Sequence, residues 1–199
     1  MSSARVEVVA GSVLVLDVDD VDTDQIIPGR HLTAIDFTGL ENVVFENDRT
    51  LWRAEGRVHP FDDPAKRDAK VLLSGQNFGC GSSREHAARG LAQRGIGAIV
   101  AESFGEIFAQ NCANLGVACV RVSGADRRRL VAAAAANNEC TGVVDLRAMT
   151  VTLAGVRAPC RMPEHRRRDL LEGRWDPLTV LLEGAALVDQ RLGVIRQLR

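Results

Sequence analysis

This sequence of 199 residues lacks any apolar run near the roughly 20 positions that cross a membrane. It also lacks an apolar signal core after Met1-Ser2-Ser3-Ala4-Arg5. No membrane partner is expected, and the expected compartment is the cytoplasm. An excess of one charge is missing too: 25 Lys+Arg stand against 26 Asp+Glu, a formal net charge of −1. The broad basic field that gathers nucleic acid is therefore absent, and no nucleic-acid partner is expected. Lysine is nearly missing, with Lys66 and Lys70 alone, so arginine carries the positive charge. The cysteines Cys80, Cys112, Cys119, Cys140 and Cys160 never form a C-x-x-C pair. That spacing suggests neither a zinc knuckle nor a disulfide framework, and leaves reduced, buried thiols. His31, His59, His86 and His165 are equally dispersed, so no metal ligand is assigned. Aromatic residues are scarce at 4%, yet 46% of the chain is hydrophobic, enough for a core and too much for disorder.

What is present begins as strands, at residues 6–9 and again at 12–16 after Gly11. An aspartate-rich run follows, with Asp17, Asp19, Asp20, Asp22 and Asp24. As a calcium loop starting at Asp20 it fails, because Gln25 replaces the required Gly and His31 the closing Glu. Residues 25–68 are irregular, with Pro28, Pro60 and Pro64, and so long an excursion points to function. From Lys70 the pattern is regular. A strand at 71–73 and a loop at 74–81 precede a helix from 82 or 83 to about 94. A strand at 96–101, a helix at 103–113, a strand at 117–122 and a helix at 125–137 follow. This alternation predicts parallel strands joined by right-handed crossovers. Short antiparallel strands are expected at 141–146, 149–153 and 156–160. One tail helix is expected at 163–173, and another from 178 or 183 to about 195. Residues 1–199 thus read as one domain, with about 163–199 as a helical C-terminal extension.

The most informative stretch is Asn77-Phe78-Gly79-Cys80-Gly81-Ser82-Ser83-Arg84-Glu85-His86. Its glycines let the backbone approach a ligand closely. A helix opening at Ser82 would add free N–H groups and a positive dipole end. With the Ser82 and Ser83 hydroxyls and the Arg84 fork, residues Gly81 to Arg84 suit a carboxylate or phosphate. The same residues also fit a purely structural role. Ser82-x-x-Glu85 is a capping box, as is Ser103-x-x-Glu106 on the next helix, and both readings stay open. A dinucleotide fingerprint fails because Arg84 occupies the third glycine position, and no Gly-Lys-Ser/Thr exists for a P-loop. A nucleophile elbow lacks its second glycine in either serine register. Cys80 has no obvious base beside it to make a reactive thiolate. Arg166-Arg167-Arg168, alongside Asp169 and Glu172, reads as a solvated or partner-facing surface.

Residues 77–87 resemble the swivel-domain signature of the aconitase superfamily. Asp20-Val21-Asp22-Thr23-Asp24-Gln25-Ile26-Ile27-Pro28-Gly29-Arg30 resembles the N-terminal signature of the isopropylmalate dehydratase small-subunit family. Glu102-Ser103-Phe104-Gly105-Glu106-Ile107-Phe108 and Asn111-Cys112 resemble a third block of that family. The blocks occur in the family's order, and the match spans roughly residues 12–195.

The resemblance implies a three-layer β/β/α swivelling domain of the aconitase C-terminal type that docks on a separate large subunit, as a heterodimer or heterotetramer. It implies no cofactor on this chain and a four-iron, four-sulfur cluster on the large subunit. The implied reaction isomerises 2- and 3-isopropylmalate through isopropylmaleate, in leucine biosynthesis, with a small dicarboxylate as substrate. By the same resemblance Ser82 is the base, while Arg84, Ser83 and Gly81 bind substrate carboxylate. His31, Leu32 and Thr33 would meet the variable substituent, and an uncharged Thr33 favours isopropyl. Asp22, Thr23, Asp24, Arg30, Glu85 and His86 would support the cleft. Two other readings remain: a paralogous dehydratase acting on citramalate, a dimethylmalate or a specialised-metabolite analogue, and a non-catalytic anion-binding or scaffold domain.

Overall fold

The structure is a computed structural model that describes residues 4–32, 37–137, 140–177 and 181. In chain order its elements begin with β1 (Val8–Leu16) and the helices α1 (Thr23–Ile26), α2 (Leu40–Val43) and α3 (Glu46–Ala54). Next come β2 (Val71–Ser74), α4 (His86–Gln93), β3 (Ala98–Ala101), α5 (Glu106–Ala113), β4 (Ala118–Arg121) and α6 (Gly124–Ala135). The last described elements are β5 (Thr141–Asp145), β6 (Thr150–Leu153), β7 (Val156–Pro159) and α7 (Glu164–Glu172).

The strands form one sheet in the order β4-β3-β2-β1-β5-β6-β7. β1 is a single strand where the sequence suggested two, and its ends have different partners. Val8 to Ser12 pair antiparallel with β5, whereas Val13 to Leu16 pair parallel with β2. On one side β2, β3 and β4 continue in parallel; on the other β5, β6 and β7 continue antiparallel.

Alternation along the parallel strands divides the interior in two. Leu14, Leu72, Ile99 and Cys119 face α1, α2, α4 and α5, where Phe45, Phe78 and Phe108 fill the space between helices. Val13, Val71, Leu73, Val100 and Val120 face the other way. There the sheet curls, so that Val144, Val151 and Leu153 cover them, with Leu130 of α6 and Leu170 of α7. Burial on both faces explains why β2 and β3 read as short runs without polar alternation. The stacking of helices, parallel half and antiparallel half is the mixed α/β, three-layer arrangement expected from the resemblance.

Three local expectations need correction. The helix anticipated from Ser82 starts only at His86, with Glu85 at the cap position and no side-chain cap bond. Tertiary contacts hold the preceding residues: Ser82 N–H donates to Thr23 Oγ1, and the Ser83 carbonyl accepts from Asn111. Glu85 pairs with Arg89 at 3.1 Å instead of closing a capping box. The next helix likewise begins at Glu106, because Ser103 Oγ accepts from Asn77 N–H and the Gly105 N–H donates to the Phe78 carbonyl. The arginines at 166 and 167 are clips rather than open surface. Arg166, 6% exposed, reaches Gln110 and Glu106 of α5, and Arg167 donates to the Leu146 and Arg147 carbonyls. Arg168 alone of the three is exposed. The second tail helix expected toward residue 195 lies outside the described residues.

Candidate active site

The three sequence blocks are far apart in the chain and meet at one edge of the fold. They form the connections after β1, β2 and β3, at the carboxyl ends of parallel strands, where α/β sheets characteristically bind ligands. Asp22 and Cys80 pair as a parallel bridge, as do Phe78 and Phe104. Thr23 N–H donates to the Cys80 carbonyl, Gly79 N–H to the Val21 carbonyl, and Phe78 N–H to the Ser103 carbonyl. Asn77, at a positive φ of 53°, sends its side-chain amide to Asp20 Oδ1 at 2.8 Å. The motif is therefore a third strand-like rung between its neighbours, with few free backbone groups until Gly81.

Two glycines are required by this geometry. Gly79 has φ 75°, and a Cβ there would lie 2.2 Å from Phe108 Cγ. Gly81 has φ 98° where the chain turns away from Thr23. Asp22 caps α1: its Oδ1 accepts from Asp24 N–H at 2.7 Å and Gln25 N–H at 2.8 Å, and Gln25 answers in a capping box. That cap fixes Thr23 and Asp24 beside the turn. Thr23 is buried, and its hydroxyl oxygen accepts from Ser82 N–H at 3.0 Å.

At the centre, Ser82 Oγ accepts from Arg84 Nε at 2.8 Å and from Arg84 N–H at 3.3 Å. One donor is a cation and the other a backbone dipole, so together they favour negative charge on that oxygen. Arg84 Nη2 lies 3.4 Å from Asp24 Oδ1, which steadies the guanidinium at its far end. Half of the Arg84 side chain remains open to solvent, as a carboxylate-binding fork requires. Ser83 contributes its carbonyl to Asn111. Ser82, Ser83, Arg84, Gly81, Thr23 and Asp24 are thus one constellation.

Other expected residues make contacts of their own beyond this constellation. Arg30 and His31 both bind Glu46 of α3, at 2.5 and 2.6 Å, and Arg30 also donates to Asn47. The hydrogen bond from His31 is the main cause, with that from Arg30 beside it, of a Glu46 carboxyl held below its usual range. Leu32 packs half-buried against the helical core. Thr33 lies outside the described residues. The His86 ring packs on Phe37 with centroids 4.9 Å apart, and Arg89 lies over the same phenyl ring at 4.1 Å. Neither His86 ring nitrogen has a hydrogen-bond partner among the described residues. Burial is the main cause of its lowered pKa, so it stays a neutral imidazole at neutral pH. Burial, and then the charges of Asp22 and Asp20, raise the Cys80 thiol above its ordinary pKa, which agrees with an unreactive cysteine.

Sequence reading missed the supporting residues on the third block. Ser103 looked like a helix cap and instead accepts from Asn77 N–H at 2.7 Å. Asn111 was visible only as part of a matching string; its partner is 28 positions away. Arg127 of α6 joins Asp17 after β1 to Glu102 after β3, tying two of the converging loops from behind. A polar cavity of about 460 Å³ at the other end of α4, lined by Arg49, Arg67 and Arg94 among others, contains none of the site residues. Among the described residues no group of three His, Cys, Asp or Glu converges as a metal set. The described residues do not offer the ligand set of a cluster.

The aconitase C-terminal domain family matches residues 3–124. A 3-isopropylmalate dehydratase small subunit of Thermus thermophilus is 38% identical over 183 residues, covering 92% of this chain and 91% of that one. The protein of the same description from Synechocystis is 39% identical over 180 residues, covering 90% and 88%. A crystal structure of 3-isopropylmalate dehydratase from Methanocaldococcus jannaschii superposes with a TM-score of 0.67 at 25% identity, covering 92% of this chain and 98% of that one.

Proposed function

This chain belongs to the aconitase C-terminal domain family, among its 3-isopropylmalate dehydratase small subunits, and on that footing we propose that it supplies the base and a carboxylate anchor of a two-subunit active site. Its partner is a large subunit that carries the 4Fe–4S cluster, whose chemistry when bound is to polarise the departing hydroxyl. The substrates are 2- and 3-isopropylmalate, interconverted through isopropylmaleate.

Geometry on this chain supports each role. Proton removal from a carbon beside a carboxylate needs a strong, positioned base. A serine oxygen serves only if its anion is stabilised, and Ser82 Oγ already receives two donors from Arg84. The proton moves to the Ser82 Oγ anion, the C–H electrons form the new double bond, and the C–O bond breaks with its electron pair leaving on hydroxide. Rehydration in the opposite sense at the neighbouring carbon completes the isomerisation, with Ser82 returning the proton. Arg84 offers its outer nitrogens to a substrate carboxylate, while Asp24 keeps the fork from rotating away. The loop edge is open on the isolated chain, as half of a cleft closed by a second subunit would be.

The observation that carries this reading is the pair of Arg84 donors converging on Ser82 Oγ. The test is reconstitution. This chain alone should not hydrate isopropylmaleate, and the chain mixed with a cluster-loaded large subunit should. In that complex Ser82→Ala should lower kcat by about 10²–10⁴-fold, the usual worth of a general base, while the variant keeps its melting temperature within a few degrees. Turnover by the isolated chain, or near-normal kcat in Ser82→Ala, would sink the proposal. A panel of alkylmalates on the same complex names the preferred substituent.

A further inference from the structure

Asn111 lies on the half-buried side of α5, and its amide is committed. Nδ2 donates to the Ser83 carbonyl oxygen at 3.1 Å. In a planar trans peptide the C=O and the next N–H lie in one plane and point in opposite directions. Anchoring the Ser83 carbonyl therefore sets the direction of the Arg84 N–H. That N–H is the one directed at Ser82 Oγ, 3.3 Å away. The other end of the turn is held independently, by Ser82 N–H on Thr23 Oγ1.

The support is rigid on the side where rigidity counts. Phe108, one turn earlier on α5, is 2% exposed and lies directly beneath Gly79, with its ring 5.5 Å from that of Phe78. Cys112, the next residue after Asn111, is fully buried. Arg166 reaches across from α7 to Gln110 and Glu106, fixing the helix from outside. The distance from Asn111 to the Ser83 carbonyl is thus set by the same helix that underlies the glycine turn.

We propose that Asn111 is a positioning residue for the reaction: it aims the Arg84 backbone N–H at Ser82 Oγ and so stabilises the serine anion without touching substrate. The inference rests on the reading of Ser82 as the base. It predicts that loss of the amide donor slows proton abstraction specifically and leaves substrate binding nearly intact.

The experiment uses the reconstituted two-subunit enzyme with Ser82→Ala, Asn111→Ala and Asn111→Asp. The Asn111→Asp change keeps the shape of the side chain while presenting oxygen where the donor was, so it remains informative if Asn111→Ala folds poorly. A misaimed donor should cost somewhat less than a deleted one, about 10–100-fold in kcat, with KM changed by less than about threefold. The primary deuterium isotope effect on dehydration, measured with isopropylmalate deuterated at the carbon that loses its proton, should increase as that step becomes more rate-limiting. Folded Asn111 variants with kcat within about twofold of the parent, or with lowered kcat and an unchanged isotope effect, would overturn the proposal. If Ser82→Ala is inactive while both Asn111 variants are normal, the positioning role alone fails. If Ser82→Ala is itself normal, the base assignment fails first.

Discussion

In the proposed reaction Arg84 would do two jobs with one side chain, and the division falls along the guanidinium. Nε turns inward to Ser82 Oγ, Nη2 leans on Asp24, and the outer edge remains for an anion. Lysine has the charge but only one nitrogen, so it can serve the serine or the carboxylate and not both. Arg84→Lys should therefore raise KM and lower kcat together, with kcat/KM down about 10²-fold or more, a loss comparable to removing a charge-assisted bond and an oxyanion donor. Steady-state kinetics on the reconstituted enzyme measures it, and an effect confined to KM would mean that Arg84 binds substrate without assisting Ser82. Much of this constellation was readable in the chain, because Gly79, Gly81, Ser82, Ser83 and Arg84 are adjacent and their chemistry is local. Of what held them, Thr23 was expected at the cleft only through the family resemblance, and the contacts of Ser103 and Asn111 were not expected. Thr23, Ser103 and Asn111 act across 59, 26 and 28 positions respectively, and no spacing rule links such residues.

At the scale of elements, the parallel strands β2 to β4 were read well, and the starts of α4 and α5 were not. β2 and β3 are enclosed on both faces, so their composition announces them. The beginning of α4 depends on a contest between local capping and distant hydrogen bonds, and the distant bonds win at Ser82 and Ser83. The segment between α1 and β2, which looked irregular, contributes an aromatic group to the helical-side core through Phe45 and Phe61. His59 is 1% exposed there, with Trp52 edge-on at 4.9 Å and Phe45 and Phe61 nearby. Its Nδ1 accepts from Phe61 N–H, so the ring is the neutral tautomer protonated at Nε2. Burial lowers its pKa from 6.5 to about 4. The unfolded chain takes up a proton below about pH 6.5, and the folded one only near pH 4. Stability from this group is therefore intact above pH 6.5, falls as the pH drops toward 4, and then levels off. The loss at pH 5 is about 2 kcal/mol by linkage. Urea melts at pH 7 and pH 5 should differ less for His59→Phe than for the parent by about that amount, and parallel pH profiles would refute the assignment.

Over the whole molecule, the two cores lie on opposite faces of the parallel half, and the site belongs to the helical side. Thr23, the motif loop and α5 all stand on the cluster that includes Phe78 and Phe108. The antiparallel half and α6 brace it from behind, and Arg127 carries that brace through to Asp17 and Glu102. α7 closes the perimeter, with Arg166 and Arg167 as its two fasteners. Nothing in the linear sequence announced the Arg127 tie, since Arg127 and Asp17 are 110 positions apart.

The shared strand has a further consequence for what happens when the chain is cut. β1 gives its first five residues to one half of the sheet and its last four to the other, so neither half owns a complete set of partners. A chain divided between α6 and β5 would leave β5, β6 and β7 as a three-strand ribbon whose β5 edge has lost its neighbour. Bare edges of this kind recruit other strands, including copies of themselves. Expressed alone, residues 138–199 should self-associate in size-exclusion chromatography, and co-expression with residues 1–137 should return them to a single complementing pair. A monomeric, separately folded C-terminal fragment would show that β1 is a border between two tenants and not a common wall.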